Sequence, residues 1–94
     1  MEILYRLEQY TLQHPQEVLI LQVQYLGETD EILVFKGVSS SLQRSTPEDP
    51  DVSLLPAEAN ILTIDRLQSP YSPTNPHYLA QNLTWDEFQL ATNI

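Results

Sequence analysis

His14 and His77 are the two imidazoles of this chain, and each adjoins a proline (His14-Pro15, Pro76-His77). That setting places both in connections between elements. A general base needs an oriented partner within hydrogen-bond reach, and neither neighbourhood supplies one. The serine run Val38-Ser39-Ser40-Ser41-Leu42 lacks the G-x-S-x-G elbow that exposes a nucleophile. Its hydroxyls read as polar loop groups that satisfy backbone, with Ser40 retained as a contact residue for a partner. Glu48, Asp49 and Asp51 offer oxygens to a hard cation. Pro47 and Pro50 interrupt them and the spacing is not that of an EF-hand, so a solvated acidic loop is the simpler reading. Thr46-Pro47, Ser69-Pro70 and Ser72-Pro73 are weak candidates for regulated phosphorylation. No catalytic constellation, metal site or cofactor is expected.

The composition narrows the classes further. Ninety-four residues hold one modest core, so residues 1–94 are expected to form a single domain. There is no cysteine, which removes disulfides, thiolate metal sites and thiol catalysis together. Four cations against thirteen acids give a net charge of −9, the wrong sign for gripping a phosphate backbone, so no nucleic-acid partner is expected. The eight aromatic residues are spread along the chain and are not interleaved with Lys or Arg, which argues for packing over base stacking. Arg6, Lys36, Arg44 and Arg66 are expected to pair with the acid excess. Two glycines leave little material for a phosphate-cradling loop. No apolar run is longer than Val18-Leu19-Ile20-Leu21, far short of the ~20 residues that span a bilayer. The N-terminus has neither a basic nor an apolar leader region. A soluble protein that stays in its compartment of synthesis, the cytoplasm, is expected, without membrane insertion.

The elements follow from periodicity. Ile3, Tyr5 and Leu7 alternate with Arg6 and Glu8, which predicts a half-buried strand over 3–11. Residues 17–26 form the clearest strand, apolar on both faces in its first half. Gly27-Glu28-Thr29-Asp30 predicts a tight turn into a strand over 31–36, hence an antiparallel hairpin. Residues 38–58 show no usable period and read as a long loop, with a turn of helix conceivable near Pro56-Ala57-Glu58-Ala59. A strand is expected over 60–67, then a second proline-rich loop over 68–76 held down by Tyr71. His77-Tyr78-Leu79-Ala80-Gln81 suggests a brief helical turn. Thr84-Trp85-Asp86-Glu87 is a capping box with a Leu83/Phe88 staple, and it opens a short helix over 84–92. Trp85 and Phe88 are expected to face the core, with Ala91 a further candidate for that face.

Several phrases carry a resemblance: Arg6-Leu7-Glu8-Gln9-Tyr10-Thr11-Leu12, Pro15-Gln16-Glu17-Val18-Leu19, Phe35-Lys36-Gly37, Ser39-Ser40-Ser41-Leu42, Asp49-Pro50-Asp51-Val52, Thr63-Ile64-Asp65-Arg66-Leu67-Gln68 and Pro70-Tyr71. Together they resemble a small family of uncharacterised cyanobacterial and chloroplast proteins, a domain of unknown function, over most of the chain. The resemblance implies a setting, the cytoplasm of a photosynthetic bacterium or a plastid stroma, beside a thylakoid complex. It implies no reaction or cofactor.

The expected fold class is α+β. An antiparallel sheet of four or five strands curls into a half-barrel with the C-terminal helix packed on it. The alternative is a closed SH3-like or PH-like barrel capped by the same helix. The loops 38–58 and 68–76 hold six of the seven prolines together with Val52, Leu54, Leu55 and Tyr71. Stiff loops with apolar anchors suit a partner surface. The expected function is therefore a non-catalytic protein-binding or accessory module, with Ser40, Glu48, Asp49, Asp51, Tyr71 and His77 as contact residues. Two other readings stand beside it. One is a small-ligand or regulatory-metabolite site at the sheet mouth near Tyr25, Tyr71 and His77. The other is a self-assembling subunit, a homodimer paired through the edge strand 3–11.

Overall fold

A computed structural model describes residues 2–25, 27–42 and 59–94. The elements run α1 (Glu2–Gln13), β1 (Glu17–Tyr25), β2 (Glu28–Phe35), β3 (Val38–Ser41), β4 (Asn60–Gln68), β5 (Tyr78–Leu83) and α2 (Trp85–Thr92). The strands form one antiparallel five-stranded sheet in the order β3-β2-β1-β4-β5. Its two outer strands do not pair with each other, so the sheet is open and the closed-barrel alternative is set aside.

Residues 2–13 are a helix, and this corrects the expected strand over 3–11. The buried set is Leu4, Leu7, Tyr10 and Thr11, which is helical spacing, while Tyr5 is 59% exposed. The Ile3-Tyr5-Leu7 alternation misled because it passed over Leu4, whose burial only a helix shares with Leu7 and Tyr10. The edge strand invoked for a homodimer is therefore not present; the sheet edges are β3 and β5.

Both hairpin connections are tighter than the sequence suggests. Tyr25 pairs with Glu28, so β2 begins inside the expected turn. Phe35 pairs with Val38, and Lys36 and Gly37 between them have φ of 49° and 81°. Two positive φ angles make the type I′ geometry, whose twist matches that of the flanking strands. Val38–Ser41 thus continues the sheet as β3, where a loop was expected. Residues 78–83 form β5 and not a helical turn. The expected helical turn near residue 57 lies outside the described residues, although Ala59 is buried in the core.

Both helices lie on one face of the sheet. Leu4, Leu7 and Tyr10 of α1 and Phe88 of α2 pack with Leu19, Leu21, Val23, Ile32, Val34 and Ile64. Trp85 packs against the same cluster, as expected, whereas Ala91 is exposed. Val18, Ile20 and Leu67 face the other way, with Leu33, Phe35 and Tyr71 packed against them. This explains why β1 reads as apolar on both sides.

The capping box is formed. Glu87 N–H donates to Thr84 Oγ1 at 3.1 Å, and Thr84 N–H donates to Glu87 Oε1 at 3.0 Å. Thr84→Ala removes one acceptor and costs about 1 kcal/mol, read as a shift of the urea midpoint with an unchanged slope. A midpoint equal to the wild type's would contradict this reading of the cap.

Candidate functional site

Among the described residues, the polar side chains that join α1 to the sheet form a connected group. Tyr10 is buried against Phe88, edge to face with ring centroids 5.1 Å apart, and is stacked on His14 at 4.2 Å. Its hydroxyl donates to Glu17 Oε2 at 2.6 Å. Arg66 Nε donates to Glu17 Oε1 at 2.9 Å, and Arg66 Nη2 reaches the Tyr10 hydroxyl at 3.5 Å. His14 Nδ1 lies 2.9 Å from the Tyr10 carbonyl oxygen. One carboxylate at the start of β1 therefore ties α1 to β4. The register explains the placement: Arg66 pairs with Leu19, a helix-facing residue, so its side chain rises on the same side as Glu17.

Electrostatics follows from this geometry. Burial first, then the Glu17 hydrogen bond and charge, push the Tyr10 hydroxyl up to about 12 from 10.0. Burial alone would raise Glu17, but hydrogen bonds from Arg66 and Tyr10 and the Arg66 charge outweigh it and hold the carboxyl below its ordinary value. The Glu17 bond raises Arg66 against the opposing effect of burial. Both Glu17 oxygens are occupied and Tyr10 keeps its proton at neutral pH. The cluster holds α1, β1 and β4 together.

The signs give a prediction at high pH. A group whose folded pKa is raised contributes stability that is complete below its unfolded value and lost as the pH climbs through the folded one. Stability contributed by Tyr10 is thus full below pH 10.0 and falls as the pH approaches about 12. The loss is at most about 3 kcal/mol. Tyr10→Phe removes this limb of the stability–pH curve; a limb that survives the substitution would assign it to another group. The depressed Glu17 carboxyl acts oppositely, stabilising above the ordinary carboxylate range and ceasing to do so as acid titrates it.

A second polar set pins α1 to the β2–β3 hairpin. Thr11 Oγ1 donates to the Glu8 carbonyl at 2.9 Å and accepts from Gly37 N–H at 3.0 Å. Ser39 Oγ donates to Glu8 Oε2 at 2.7 Å. A β-carbon at Gly37 would stand 3.3 Å from Leu12 Cδ1, so glycine serves both the turn and the close approach of the helix.

Of the contact residues expected from sequence, Ser40, Tyr71 and His77 are among the described residues. Ser40 sits on β3 opposite Leu33 and, by alternation with Ser39, faces away from the helices. Tyr71 packs on the cluster of that same face. His77 is exposed and borders a recess of about 410 Å³ with Gln68, Ser69, Pro70, Ser72 and Asn75. Glu48, Asp49 and Asp51 lie outside the described residues. The sheet mouth imagined near Tyr25, Tyr71 and His77 does not form, because Tyr25 packs on the helix side and Tyr71 on the opposite face. Among the described residues no three His, Asp or Glu side chains converge as metal ligands. No described helix is long and apolar enough to cross a membrane.

Sequence reasoning expected Arg66 to pair with an acid, as it does with Glu17, but it identified neither that partner nor the part of Tyr10. The available signal was that Glu17 and Arg66 are charged residues on strands flanked by apolar ones, where an unpaired charge would be costly.

No curated protein and no solved structure matches this chain. A family model does match, over residues 4–92, and spans both helices and every strand between them. The chain therefore belongs to the family described as a domain of unknown function, DUF7734.

Proposed function

We propose that this domain is a small non-catalytic protein-binding module whose acidic surface recruits a basic partner. The distribution of charge carries the reading. Among the described residues, Arg66 is engaged by Glu17, while Arg6 lies over the Trp85 ring and Lys36 over the Phe35 ring, each at 5.2 Å. Arg44 lies outside the described residues. Glu2, Glu28, Asp86 and Glu87 are exposed and ion-paired with none of the described cations. These four carboxylates are displayed outward on a chain of net charge −9, where they raise the encounter rate with a cationic protein and repel nucleic acid. The setting proposed for this encounter is the cytoplasm of a photosynthetic bacterium, or a plastid stroma.

Tagged protein incubated with native lysate is expected to retain a stoichiometric basic partner at low salt and to release it at high salt, since screening weakens exposed charges. Replacing Glu2 and Glu28 by Gln and Asp86 by Asn should weaken capture while leaving the fold intact. Glu87 is left in place because it caps α2. Capture that ignores both salt and these substitutions would overturn the reading, as would turnover of a small molecule by the purified chain.

A further inference from the structure

The loop between β4 and β5 forms a recess independent of the acidic surface. Ser69 ties it to the body of the protein, and bonds within the hairpin fix its outline. Gln68 N–H donates to the His77 carbonyl and Ser69 N–H to the Gln16 carbonyl, both at 2.8 Å, and Asn75 N–H donates to the Ser72 carbonyl at 3.2 Å. Ser69 Oγ donates to the Pro15 carbonyl at 3.2 Å, and Tyr71 anchors the loop on the face away from the helices. The recess is thus shaped before any ligand arrives. Its volume of about 410 Å³ lies within the range of small-molecule sites.

The lining selects the chemistry. The Gln68 and Asn75 carboxamides and the His77 imidazole form no hydrogen bond with any described residue and stand at the recess wall. A carboxamide offers donors and acceptors together, and a neutral imidazole offers one of each. Ser72 Oγ, 3.3 Å from Thr74 Oγ1, keeps acceptor capacity. Among the described residues no Lys, Arg or carboxylate lines the recess, and the chain as a whole carries −9, so they offer an anion no cationic side chain and a cation no counter-charge. Groups that donate and accept at the same atom fit this wall, and the Pro70 ring gives it one apolar side. We propose that the recess bordered by Gln68, Asn75 and His77 binds a neutral polyhydroxylated molecule, of mono- to disaccharide size.

The test is a titration of isotopically labelled full chain with sucrose, with glucose and with sodium sulfate, followed by amide chemical shifts. Saturable shifts concentrated in residues 68–77 are expected with at least one sugar and none with sulfate. Asn75→Ala and His77→Ala are each expected to weaken binding about five- to tenfold, the loss of one neutral hydrogen bond. Both side chains are exposed, so the melting temperature should not move. Three results would overturn the proposal. One is the absence of saturable shifts with either sugar up to about 100 mM, well above the ~1 mM affinity that a few such bonds support. The second is saturation by sulfate. The third is sugar binding that neither substitution weakens.

Discussion

Glu17→Ala is expected to lower the unfolding free energy by about 3 kcal/mol, toward the lower end of the range for breaking a buried ion pair. Glu17 is 6% exposed at its side chain and accepts from both Tyr10 and Arg66. Its removal strands two donors at once and releases α1 from β4. Arg66 is 21% exposed and can swing partly into water, which limits the damage. In a domain of this size the loss corresponds to a fall in melting temperature of more than about 12 °C. Glu17→Gln separates charge from shape, since its amide can accept from one partner but not balance the guanidinium. A double-mutant cycle between Glu17→Ala and Arg66→Ala should return a coupling of about 1–3 kcal/mol, as for residues in one network. A loss below 1 kcal/mol for Glu17→Ala, or additive single effects, would show that the cluster is not what joins the helix to the sheet.

Phe88→Ala is the second large effect, at about 3–5 kcal/mol. Phe88 is fully buried on α2, stacked with Trp85 at 6.1 Å and edge to face with Tyr10 at 5.1 Å. A helix of eight residues is too short to persist by propensity. Its capping box sets where it starts, but docking keeps it formed. Truncation of Phe88 leaves a cavity between α2, α1 and the sheet and withdraws the one fully buried anchor of α2. Accelerated amide exchange over residues 85–92, well beyond any acceleration in β1, is the diagnostic result. Uniform acceleration would mean that α2 is held by contacts other than this ring.

Elements specified by neighbours in the chain are legible in the residues. The capping box at Thr84 and Glu87 involves a separation of three residues. The β1–β2 hairpin rests on a short connection at Gly27, and the α+β class follows from strong strand periodicity ending in a capped helix. Where two local readings competed, local signals could not arbitrate. Residues 2–13 contain both an alternation and a helical stripe, and the helix prevails because Leu4, Leu7 and Tyr10 all meet one apolar sheet face. The Lys36-Gly37 turn and β3 were hidden in a polar serine run because Ser39 and Ser41 find their partners in Glu8 and Asp30 across the fold.

The sequence by itself determined the class, the acid excess, the C-terminal helix and the strands β1 and β4, because these depend on composition or on residues a few positions apart. Only the tertiary structure decided the clamp. Tyr10 and Glu17 are seven residues apart, but Arg66 is 49 from Glu17 and 56 from Tyr10. Nothing in their spacing announces the meeting. Strand order and register bring Arg66 beside Glu17 under α1, and the cost of burying a lone carboxylate makes the three side chains a unit. The β4–β5 recess arises in the same way, from where two strands end and how the loop between them is tied to residues 15 and 16.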